Sequence, residues 1–183
     1  MKLHSSHFVC AFLCMASLSS FAQQKVDLAA ALQEQQIEVV NRTLSVYKNQ
    51  SGAVEMNAAQ GDGLAILTEF EFEKGTIEVE LKGENSPGRS FIGIAFNIED
   101  GETFEAVYFR PFNFVADEQI RKDHMVQYIC HPDYTWSKLR EERTGEFENE
   151  ISAPPNPNDW FNVIIEISDN EVSVLVDMIA LPV

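Results

Sequence analysis

The chain has 183 residues, with 13 Lys and Arg against 29 Asp and Glu, a formal net charge of −16 at pH 7. Such a surface repels nucleic acid and anionic lipid headgroups, which excludes polyanions as partners and leaves neutral sugars, cations and basic proteins open. Of the cysteines, Cys10 and Cys14 fall in an N-terminal leader and Cys130 stands alone, so no intrachain disulfide is expected and a hydrophobic core must hold the fold.

The leader is residues 1–22, MKLHSSHFVCAFLCMASLSSFA. Lys2 supplies the basic start, Phe8–Leu18 an apolar stretch too short to stay as an anchor, and Ser20-Phe21-Ala22 a small-x-small cleavage site. The pattern predicts a signal peptide, a secreted or periplasmic protein after cleavage near Ala22, no membrane insertion, and one domain over residues 23–183. Next along the chain, Asp27 is placed to cap a short helix over LAAALQEQQ, whose Ala, Leu and Gln favour helix.

From there the apolar period changes to two. TLSVYK, AVEMNA, GLAIL, TEFEFE, TIEVELK, SFIGIAFN, FEAVYFRPF, MVQYIC, FNVIIEIS and EVSVLVD read as strands. Gly61-Asp62-Gly63, Lys74-Gly75, Asp100-Gly101 and Asp169-Asn170 punctuate them as turns suited to positive φ. APPNPND at 153–159 is a stiff, extended loop, because its prolines fix φ and bias the residues before them. Short strands, little helix and no alternation of strand with helix predict an all-β antiparallel sandwich.

Five blocks, GTIEVELKG, SFIGIAFN, AVYFRPFNF, VQYICHPDYTWSKLRE and DWFNVIIEI, follow one another across roughly residues 50–176. In this order they resemble bacterial exported proteins of the concanavalin A-like lectin/glucanase superfamily, near the 3-keto-disaccharide hydrolase and laminin G-like domains. The resemblance implies a jelly-roll of two curved antiparallel sheets with ligands on the concave face; it implies no reaction, since the fold hosts lectins, glycosidases and interaction modules alike. Such proteins carry one or two further strands after the segment matching EVSVLVD. Here MIALPV follows, so either the last strand is missing or Ile179–Val183 fills the gap.

Three constellations could carry chemistry. In TEFEFEKGTIEVEL, alternation turns Phe70, Phe72, Ile77, Val79 and Leu81 inward and the glutamates outward. A two-residue turn at Lys74-Gly75 would set Glu71 opposite Glu78 and Glu69 opposite Glu80, with Cβ atoms about 4.5–5.5 Å apart. Such crowding needs an Arg or Lys from a neighbouring strand, a cation such as Ca2+, or protonation of one partner; no other cofactor is expected. The separation also suits a retaining glycosidase, making Glu78 and Glu80 the catalytic candidates. Against that, the laminarinase-type enzymes of the superfamily carry a Glu-x-Asp-x-x-Glu strand whose Asp is absent here, and a solvated acidic face is the simpler alternative.

In YFRPFNF, Tyr108 and Arg110 share one strand face and Val107 and Phe109 the other, while Pro111 marks an edge or bulge that re-aims Asn113. Ring, guanidinium and amide are what a sugar site uses, although Arg110 could instead serve to neutralise the glutamates. In HPDYTWSKLRE, His131 ends a strand, Pro132 and Asp133 turn the chain, Tyr134 and Trp136 sit on the loop, and a short helix follows. Those two rings are either a ligand platform or a plug over the core, and His131 is expected to bond Asp133. No Ser or Cys partner stands near His131 in sequence, no Gly-x-Ser-x-Gly elbow exists, and His124 and His131 lack the neighbours a zinc site needs. Cys130 reads as a buried, inert thiol.

The residues therefore predict an exported carbohydrate-binding module whose platform combines Tyr108, Arg110, Asn113, His131, Tyr134 and Trp136. The alternatives are a glycoside hydrolase using Glu78 and Glu80, and a protein-interaction module with no sugar ligand.

Overall fold

The runs with period-two alternation build antiparallel sheets in the computed structural model, which describes residues 23–177 and the backbone of 179–180; the leader expected at 1–22 lies outside the described residues. In chain order the elements are α1 (Leu28–Gln33), β1 (Ile37–Val40), β2 (Leu44–Val46), β3 (Val54–Met56), β4 (Leu64–Leu67), β5 (Gly75–Lys82), β6 (Ile92–Phe96) and β7 (Phe104–Phe109). A single 3-10 turn at Pro111–Asn113 follows, then α2 (Gln119–Lys122), β8 (Val126–His131), α3 (Trp136–Glu142), β9 (Glu148–Asn149), β10 (Trp160–Ile167), β11 (Val172–Val176) and β12 (Ile179–Ala180).

Two four-stranded sheets dominate, one in the order β6-β7-β8-β9 and the other β12-β11-β10-β5, with β1-β4 and β2-β3 as separate pairs. Alternation decides which side of each sheet is apolar. Val107 and Phe109 of β7 and Val126 of β8 turn towards Leu81 of β5, Phe161, Val163 and Ile165 of β10, and Val174 and Val176 of β11, forming one buried cluster between the sheets. Phe161 meets Phe109 and Phe114 edge to face at 5.4 and 5.5 Å, the arrangement that ring quadrupoles favour. Each such side chain contributes about 1.5–3 kcal/mol by leaving water, so this sandwich-like core is the main source of stability.

The reverse face of the β6–β9 sheet is also partly covered. Phe104, Ala106 and Ile129 form a second cluster with Leu139 of α3, against which Leu64 of β4 packs. Helices α1 and α3 start where a side chain can satisfy a free N–H: Asp27 Oδ1 accepts from Ala30 N at 2.9 Å, and Thr135 Oγ1 accepts from Lys138 N at 3.4 Å.

One expected strand is absent and two unexpected ones are present. Residues 68–74 form no strand, with a turn at 68–69 and a bend at 73–74, and β5 begins only at Gly75, whose φ of 134° suits glycine. The strand beside β5 is β10, in the register Glu78↔Ile164 and Glu80↔Asn162. Burying Val79 against Val163 outweighs a local hairpin that would have stacked like charges across two strands. IEVV at β1 and the two-residue β9 were not foreseen, because segments this short carry no readable period, while β12 lies in the Ile179–Val183 segment that was one of the two alternatives for the gap and pairs with β11. At Asp169-Asn170 the turn closes through Ser168 N to Glu171 O at 2.9 Å, with neither central residue at positive φ.

Candidate functional site

The register of the β6–β9 sheet lines up one row of residues across all four strands: Gly93 faces Tyr108, Tyr108 faces Gln127, and Gln127 faces Glu148. With strands about 4.8 Å apart the row spans about 14 Å. Because Val107 and Phe109 face the main core, Tyr108 and Arg110 project from the opposite side, as the alternation in YFRPFNF requires. Gly93 is needed at the end of the row, since a Cβ there would lie 2.1 Å from the Val107 carbonyl oxygen and 2.5 Å from Tyr108 Cα.

Arg110, 6 % exposed, is the hub of this row. Its Nη2 donates to Tyr108 Oη at 2.7 Å and to Gln127 Oε1 at 2.7 Å, its Nη1 donates to the His124 carbonyl at 3.1 Å, and Nη1 lies 3.6 Å from Glu148 Oε1. Tyr108 in turn donates to Gln127 Oε1 at 3.3 Å. The buried Glu148 carboxylate is clasped on its other side by Arg140, through Nε at 3.1 Å and a closer contact from Nη2, and His124 Nε2 lies 3.2 Å from Oε2. Charges this deep persist only when paired, and here two guanidinium groups share one carboxylate.

Burial governs how these groups titrate. It pushes the Tyr108 phenol up to about 12, with Arg110 pulling against it and Glu148 adding to it. Desolvation lowers Arg110 from its usual value against the favourable influence of Tyr108 and Glu148. It likewise lowers the His124 imidazole, where Arg140 and Arg110 reinforce the effect and Glu148 opposes it. In all three groups burial thus disfavours the charged form.

Among the groups of the row one is left over. Gln127 is 1 % exposed, yet its Nε2 has no hydrogen-bond partner among the described residues. An orphaned buried amide of this kind calls for a ligand or an ordered water. Aromatic rings stand beside the row. Phe91, 53 % exposed, lies 6.1 Å from the Tyr108 ring, and Trp136, 49 % exposed, stacks over the Arg140 guanidinium at 5.2 Å.

The six residues expected to form a platform divide into floor, edge and rim. Tyr134 and Trp136 are exposed, so neither is a plug over the core; Tyr134 instead packs against Lys138, 5.1 Å from its ring. Tyr108 is half-buried in the floor. Arg110 and Asn113 are scaffold rather than contact surface: Asn113 is buried, donates to the His124 carbonyl at 3.0 Å and accepts from Arg121 Nε at 3.2 Å. His131 stacks on Phe104 at 5.0 Å and faces Asp62 Oδ2 at 4.0 Å, in place of the expected bond to Asp133. The thiol of Cys130 is half-buried, and burial, with Glu105 and Asp133 adding to it, raises it above its ordinary value.

Glu78 and Glu80 lie two residues apart on the exposed face of β5, away from this row. Glu78 Oε1 accepts from Asn162 Nδ2 at 3.1 Å, and the opposed glutamate pairs that would have called for a cation do not form. Glu148 was missed by sequence reasoning because EFENE shows no apolar alternation, and Phe91 and Gly93 because nothing local marks them. A weak signal existed for Gln127, a lone amide in the otherwise apolar run MVQYIC.

No family model, curated protein or solved structure matches this chain. Among the described residues no helix is long and apolar enough to cross a membrane.

Proposed function

We propose that the chain is an exported module of the concanavalin A-like, jelly-roll type that binds a glycan across the Gly93–Tyr108–Gln127–Glu148 row. The observation that carries this reading is the unpartnered Gln127 amide, set in a rigid polar floor beside the exposed rings of Phe91 and Trp136. A sugar offers what such a surface lacks: hydroxyl oxygens to accept from a buried N–H, and an apolar ring face to cover an aromatic side chain. The two rings supply stacking, the floor supplies direction, and the extent of the row suits several sugar units. The bond network holds Tyr108 and Gln127 in place before binding, which lowers the ordering cost of recognition. The negative charge of the chain favours neutral glycans over polyanionic ones.

Affinity electrophoresis against a panel of neutral and acidic polysaccharides tests the reading. The wild type is expected to be retarded by at least one neutral glycan, with little response to salt. Trp136→Ala and Phe91→Ala should each weaken retention about tenfold, equivalent to ~1.4 kcal/mol. Both residues are half-exposed, so neither change should move the unfolding midpoint by more than ~0.5 kcal/mol. Retention unaffected by both substitutions, or no retention by any glycan, overturns the proposal.

A further inference from the structure

Towards the end of the sandwich that carries the β10–β11 turn, the two sheets part to leave a cleft of about 690 Å³. Its volume is in the range that holds a small organic molecule. Val107 and Val126 from one sheet and Val172, Val174 and Ile167 from the other, with Phe147 beside them, form much of the apolar part of its lining. The rim is acidic, and the two cations on it are already engaged: Lys74 with Asp169 at 2.9 Å and Arg143 with Glu146 at 2.9 Å.

Glu105 is the group that this arrangement leaves unmatched. It lies on the core-facing side of β7, opposite in direction to Tyr108, and lines the cleft with its carboxylate half-buried. Asn97 Nδ2 donates to Oε1 at 2.8 Å and the Tyr128 hydroxyl donates to Oε2. Both donors are neutral, so they fix the carboxylate's orientation without cancelling its charge, and among the described residues Glu105 forms no ion pair. A partly buried carboxylate held in place beside an apolar cavity is complementary to a cation that brings its own hydrocarbon.

We infer that this cleft binds a small organic cation with an apolar body, its ammonium or guanidinium group on Glu105 and its hydrocarbon between the sheets against the valines. The cleft opens on the opposite side of β7 from the proposed glycan face, since Glu105 and Val107 point away from Tyr108, and the two sites share only Gln127 of the glycan row, which also lines the cleft. An acidic chain draws such cations in and turns away anions of the same shape.

Three probes with one apolar body decide the matter on the full chain: phenylbutylammonium, phenylbutanol and phenylbutyrate, followed by calorimetry. The ammonium should bind at least tenfold more tightly than the alcohol, and the carboxylate should not bind. Glu105→Gln should erase the preference for ammonium over alcohol, with the fold checked by circular dichroism. As a second variant, Val172→Trp fills the cleft and should abolish ammonium binding, while Trp136→Ala should leave all three probes unchanged. Equal affinity for alcohol and ammonium, no ammonium binding, or a preference that survives in Glu105→Gln would each overturn the inference.

Discussion

Replacing Arg110 by alanine is the sharpest test of the polar row, because its cost follows from the contacts of one side chain. The substitution deletes donors to Tyr108 Oη, Gln127 Oε1 and the His124 carbonyl, and withdraws one cation from the buried Glu148 carboxylate. Stripping one partner from a buried ion pair costs about 3–5 kcal/mol when the remaining charge is left unmatched. Glu148 retains Arg140, so the lower end applies and we expect a loss of about 3 kcal/mol. For a domain of this size that equals a fall in Tm of about 6–12 °C. Urea unfolding should show an unchanged m-value and a lower midpoint. In a cycle with Glu148→Gln the two losses should be strongly non-additive, by ~1 kcal/mol or more, since the second change removes the charge that the first orphans. A loss below ~1 kcal/mol, or simple additivity, would show that water reaches the row and that Arg110 is not its hub.

Two further outcomes follow from the same face. The Tyr108 phenol is raised from near 10 to about 12, so the folded chain holds that proton more tightly than the unfolded chain. Its contribution, about 3 kcal/mol, is present below pH 10 and is lost as pH rises from there towards 12. Stability should therefore fall more steeply over that interval in the wild type than in Tyr108→Phe, and equal slopes would refute the assignment. Gly93→Ala places a methyl group against the backbone of the neighbouring strand, which cannot yield as a side-chain tip would. It should cost about 2 kcal/mol or more by thermal unfolding and weaken glycan retention by shifting β6 relative to Tyr108; a variant of wild-type stability would show that β6 and β7 do not approach so closely.

The two outer helices and most strands were legible because their causes are local. Asp27 and Thr135 cap helices through bonds three residues away, and alternation in TIEVELK, FEAVYFRPF and FNVIIEIS follows from the pleat alone. The same local logic placed Tyr108 and Arg110 together on one strand face and a short helix after the HPDYTW loop, although α3 begins one residue earlier than expected, at Trp136 itself. It failed at TEFEFE, where alternation was real but the chain could bury more apolar surface by pairing β5 with β10, more than seventy residues further on.

The candidate site divides along the same line. From the sequence by itself come the chemical kinds of residue present, the alternation that gives each a side, and the acidity that turns polyanions away. Tertiary structure alone decided that Arg110 and Asn113 are buried supports, that Tyr134 and Trp136 are exposed, and that Gln127 and Glu148 complete a row with Tyr108. The reason is physical: burying a guanidinium is tolerable only when acceptors and a counter-charge arrive from other strands. Which strands arrive is settled by how the whole apolar surface packs, and no window of the sequence contains that information.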